Sequence, residues 1–107
     1  MMAQALSEAF HRFFDFLSTA EGIKLLLKEN EEGVLIDVLL ADYSITAVSK
    51  HRAMLESAWW DPVELKFTGK YLMVDIYGEQ FLFKDVKWKV VQEMDGVRLI
   101  IARRWGK

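Results

Sequence analysis

The chain lacks cysteine, has one proline and two histidines, and contains no apolar run long enough to span a bilayer. Without cysteine there is no disulfide, no thiolate metal site and no cysteine nucleophile, which suits a reducing cytoplasm. A single proline beside 52% hydrophobic residues disfavours a disordered or linker-rich chain. No charge of one sign dominates: 14 basic against 16 acidic residues give −2, so binding to nucleic acid would need a local patch. The apolar N-terminus is interrupted by Glu8, His11, Arg12 and Asp15, so it has neither the basic start nor the unbroken core of a signal peptide. The expectation is a cytoplasmic protein with no membrane partner.

Chemistry-bearing patterns are equally sparse. Phosphate-cradling glycine loops and Ser-His-Asp arrangements are absent. His11 and Asp15 stand four apart on one helix face, but two mixed ligands do not make a metal site. His51, between Lys50 and Arg52, reads as solvated surface, and Glu29, Glu31 and Glu32 as the end of an element. Glu64 and Asp75 fall opposite each other in the predicted sheet, where like charges repel and one carboxyl would hold its proton more tightly. A solvated edge pair explains them more simply. A non-enzymatic protein without cofactor or metal is expected.

What the sequence has in excess is apolar surface. Four Trp and seven Phe among 107 residues are hard to bury in one small core, which points to self-association. Leu6, Phe10, Phe13 and Leu17 form one stripe of an amphipathic helix, with Glu8, His11, Arg12 and Asp15 opposite. Ser18 and Glu21 have capping-box spacing, predicting a second helix to about Glu29. Between Val34 and Trp60 the residues Val34, Val38, Ala41, Ile45, Val48, Leu55 and Trp59 recur at helical spacing, so a third helix is favoured there. The rival reading makes residues 33–40 a buried strand with a helix from Ser44. Asp61-Pro62 ends the helical part either way.

From Val63 the period becomes alternating. Turns at Gly69-Lys70, Gly78-Glu79 and Asp95-Gly96 define four strands, with Phe67 opposite Leu72 and Leu65 opposite Val74. Phe81 and Phe83 have the opposite parity to Val86, Trp88 and Val90, so an extra residue at Lys84-Asp85, a β-bulge, is predicted. Across the last turn the sequence pairs Met94 with Val97, Val90 with Ile101 and Val86 with Trp105, all inward, and sets Glu93 opposite Arg98. The expected fold is one α+β domain, residues 1–107: two or three helices (1–61) packed on one face of a four-stranded antiparallel meander (62–107).

On that sheet Val91, Ile100 and Ala102 face outward, joined by Tyr71, Met73 and Tyr77 from the neighbouring strand, and Trp59-Trp60 offers a second apolar spot. These predict a protein-binding face and a homodimer through it. The alternative is a nucleic-acid accessory using Lys66, Lys87, Lys89 and Arg104, with Arg103 and Lys107 near the end. Trp88 and Trp105 interleave these bases, but their parity turns them inward, away from any stacking role. A small-ligand pocket between helices and sheet, lined by Phe and Trp, is the third possibility.

Overall fold

The computed structural model describes residues 2–104, with side chains at 10–28 and 31–104; the expectations for Trp105 and Lys107 lie outside the described residues. One helix, α1 (Met2–Thr19), forms as the apolar stripe predicts. Everything after it is strand: β1 (Ile23–Asn30), β2 (Gly33–Ala41), β3 (Tyr43–Val48), β4 (Arg52–Ser57), β5 (Val63–Phe67), β6 (Tyr71–Ile76), β7 (Glu79–Lys84), β8 (Lys87–Glu93) and β9 (Gly96–Arg104). They build two antiparallel sheets, β1-β2-β9-β8 and β3-β4-β5-β6-β7. The α+β expectation of two or three helices on a four-stranded meander is therefore overturned. Residues 23–57, where helices are favoured, hold the four strands β1 to β4, so the rival reading of 33–40 as a buried strand is the one that holds, without its helix from Ser44.

The misreading has a physical cause. Val34, Ile36, Val38 and Leu40 alternate and are buried, but Leu35 and Leu39 between them are apolar too, which hides the period of two. Any strand alternation also contains steps of four, and a helical pattern can be drawn through them. Ser18 does not cap a second helix. Its Oγ donates to Asp15 O at 2.8 Å, inside the last turn of α1, and Gly22 follows in the left-handed region at φ 78.

The C-terminal half follows the predicted pattern closely. Phe67 pairs with Leu72, Leu65 with Val74 and Glu64 with Asp75. The last two turns are each displaced by one residue, to Tyr77-Gly78 and Met94-Asp95, so partners slip by two and the side chains that stay within the strands keep their faces. Met94, expected inward, is fully exposed at the turn. Val90 stands opposite Leu99 instead of Ile101, which pairs with Trp88.

The parity break at Lys84-Asp85 is real, but it is not a bulge within one strand. Asp85, at φ 56, carries the chain from the five-stranded sheet back to the four-stranded one. Arg103 Nη1 donates to Lys84 O at 3.1 Å there. Asp42, at φ 67, makes the other crossing, between β2 and β3, and its N-H donates to Asp95 O at 3.0 Å. Gln92 fastens that corner: its Oε1 accepts from Ile45 N at 2.8 Å and its Nε2 donates to Gly96 O at 3.0 Å.

Both sheets turn apolar faces toward a common core, and α1 packs against β1 and β7, one edge strand from each sheet. Phe13 meets Phe81 and Phe83 with ring centroids 4.8 and 5.2 Å away, and Phe10 meets Phe83 at 5.2 Å. Phe10, Phe13 and Leu17 of α1 are buried in that core.

Tyr43, 1% exposed, donates its hydroxyl proton to Asp61 O. Burial foremost, then the neighbouring Tyr77 and Asp61, pushes its ionisation above the ordinary value of 10.0. The folded chain keeps this proton where the unfolded chain releases it, so the stability is full below pH 10 and declines as pH rises beyond it. Tyr43→Phe is expected to cost about 1 to 2 kcal/mol at neutral pH through loss of the buried hydrogen bond. Urea titrations across the alkaline range should show the mutant with a shallower decline.

Candidate protein-interaction face

The outer face of the four-stranded sheet is assembled by register. Three rows cross it: Lys28, Leu35, Ala102 and Lys87; Leu26, Asp37, Ile100 and Lys89; Lys24, Leu39, Arg98 and Val91. The middle strands β2 and β9 contribute mostly apolar side chains, and the edge strands β1 and β8 contribute the four lysines. Leu26 is 48% exposed and Val91 37%. The three rows hold five cations against one carboxylate on a chain whose net charge is −2, so this face is the positive side of an otherwise acidic molecule.

Among these cations Arg98, on the central strand β9, is ion-paired. Arg98 Nη1 lies 2.7 Å from Asp37 Oδ1 and its Nε 3.1 Å from Glu93 Oε2. Hydrogen bonds from Arg98 to Glu93 first and to Asp37 next raise the guanidinium above its ordinary range. The expected Glu93–Arg98 contact exists, although Arg98 stands directly opposite Val91. At one end of the face a cleft of about 460 Å³ opens between Lys28, Leu35, Lys87, Ala102 and Arg104, with the carboxylates Glu32 and Asp85 also in its lining.

The sequence-predicted binding residues divide between two surfaces. Val91, Ile100 and Ala102 lie together on the face just described. Tyr71 and Met73 belong to β6 in the other sheet, as does Lys66 on β5, because the chain changes sheets at Asp85. The proposed basic set is split accordingly: Lys87, Lys89 and Arg104 are separated from Lys66. Tyr77 sits in a turn and donates to Glu21 O at 3.2 Å. Trp59 is 76% exposed, whereas Trp60 is half-buried against Gly22, where an added Cβ would fall 2.4 Å from Nε1. Trp88 points inward and packs on Phe67 at 4.5 Å.

Sequence reasoning misses Lys24, Leu26, Lys28, Leu35 and Leu39 as part of this face, because the favoured reading runs helices through them. Their signal was the alternation of Ile23, Leu25 and Leu27 against Lys24, Leu26 and Lys28. Glu64 and Asp75 do stand opposite each other, with Glu64 ion-paired to Arg52 and Asp75 Oδ2 accepting from Gln80 Nε2 at 3.1 Å. Among the described residues no group of His, Asp and Glu is placed to hold a metal, and no helix is long and apolar enough to cross a membrane.

No family model, curated protein or solved structure matches the chain. The functional reading therefore rests on this surface alone.

Proposed function

We propose that the chain is a non-catalytic protein-interaction module that docks through the outer face of β1-β2-β9-β8. Its partner is a protein surface that is apolar at the centre and acidic at the rim. One observation carries this reading: Leu26, Leu35, Leu39, Val91, Ile100 and Ala102 form a mostly apolar field, crossed by the Asp37–Arg98 ion pair and flanked on both edges by lysines. An apolar centre supplies affinity by burial, and a charged rim supplies orientation and association rate. No aromatic ring stands in the three rows, so the stacking platform of a single-strand nucleic-acid binder is not built there.

A second copy is the other occupant, favoured by the apolar centre and opposed by the edges. A two-fold axis along the strands lays β1 over the copy's β8, and one across them lays β1 over β1; lysines meet lysines in both. Light scattering and a titration with a peptide alternating leucine and glutamate separate the two. The expected result is a monomer that binds the peptide at low salt, with Ile100→Asp weakening it about tenfold or more. A salt-insensitive dimer broken by Ile100→Asp would establish self-association instead. Tighter binding to an oligonucleotide than to the peptide would overturn the protein reading.

A further inference from the structure

The five-stranded sheet carries a separate cleft at one of its ends. The β3–β4 turn and the β5–β6 turn lie side by side there. Ser49 N donates to Arg52 O at 2.8 Å and Phe67 N to His51 O at 2.9 Å. Thr68 Oγ1 accepts from the N-H of Lys70 at 3.1 Å and of Tyr71 at 3.3 Å. Each turn is thus closed by its own hydrogen bonds and joined to the other, giving walls fixed before any ligand arrives.

Beside Thr68 the lining of this cleft, about 400 Å³ in volume, is of two kinds. Phe67, Tyr71 and Met73 are apolar or aromatic; His51, Arg52 and Lys66 are basic; no carboxylate lines it. Arg52 stands opposite Lys66, and Lys66 opposite Met73, so the basic side chains run straight onto the apolar ones across β4, β5 and β6. Arg52 is ion-paired with Glu64, which leaves Lys66 as the cation nearest Met73 in register. Phe67 is backed from the core side by Trp88 at 4.5 Å.

We propose that this cleft binds a small aromatic anion, a planar ring bearing a carboxylate, sulfonate or phosphate. The ring replaces water over Tyr71 and Met73, which share the outer face of the sheet with Lys66, and the anionic group meets Lys66 in a charge-assisted hydrogen bond. A volume of about 400 Å³ lies in the range of small-ligand sites and is too small for a folded partner. The site is independent of the interaction face, being on the other sheet.

The test is an amide chemical-shift titration of the full chain with naphthoate, and with neutral naphthylmethanol as the control for charge. Shifts at His51, Lys66, Thr68 and Met73 are expected to saturate with a single dissociation constant. Lys66→Glu, an exposed substitution, is expected to weaken binding about tenfold. Ile100→Asp on the other sheet is expected to leave it unchanged, and the neutral alcohol to bind several-fold more weakly. Shifts confined to β1-β2-β9-β8, no saturation up to the solubility limit, or equal binding of acid and alcohol would overturn the proposal. So would an unaltered affinity in Lys66→Glu.

Discussion

Replacing Phe13 by alanine is expected to remove about 4 kcal/mol of stability, the range for a large ring deleted from a core that cannot close around the gap. Phe13 is fully buried, and its ring is held by Phe81 and Phe83 at 4.8 and 5.2 Å, so two oriented aromatic contacts go with it. In a domain of this size the loss lowers the thermal midpoint by roughly 15 °C or more. The measurement also decides what α1 is for. A peripheral helix would tolerate the change at well under ~1 kcal/mol, whereas one that fills the seam between β1 and β7 cannot. Arg12→Ala on the same helix removes only the guanidinium 5.3 Å from the Phe81 ring and serves as the surface comparison.

Gly96→Ala should be a strongly damaging single-methyl change, at about 3 kcal/mol. Gly96 opens β9 at φ 152 and stands opposite Ala41, and a Cβ there would fall 2.2 Å from Leu40 O. That carbonyl belongs to β2, so relief requires the two central strands of the sheet to part. Gly69→Ala is the control, since nothing lies within 4 Å of its added Cβ, and it should change stability by less than ~0.5 kcal/mol. Urea denaturation of both variants gives the comparison. Equal midpoints would mean that β2 and β9 are not pressed together at Gly96 as the geometry requires.

Strand parity explains both the success and the failure of sequence reasoning here. In the C-terminal half, polar residues alternate with apolar ones, as in Glu64 and Lys66 against Val63, Leu65 and Phe67, so one face is marked unambiguously. Turns there could slip by one residue on each side without exchanging inside for outside, and Val91, Ile100 and Ala102 did emerge on the outer face. In residues 23–57 the marking fails, because β2 is central in its sheet and half-covered on its outer side, where Leu35 and Leu39 are tolerated. The lysines and leucines of β1 and β2 that complete the candidate face were hidden by that one ambiguity.

The chain's own residue order determined the amphipathic α1, the strands from Val63 onward, the faces of Trp88 and Val90, and a break at Lys84-Asp85. Those features depend on neighbours a few positions apart, which a linear pattern records. Tertiary structure decided that the break is a passage between two sheets and that Tyr71, Met73 and Lys66 part company with Ile100. It also brought β2 beside β9, joining residues from Ala41 with Gly96 to Gly33 with Arg104 that are far apart in the chain. The reason is that a strand's partner is chosen by the closure of the whole core, and local periodicity carries no record of which distant strand lies alongside.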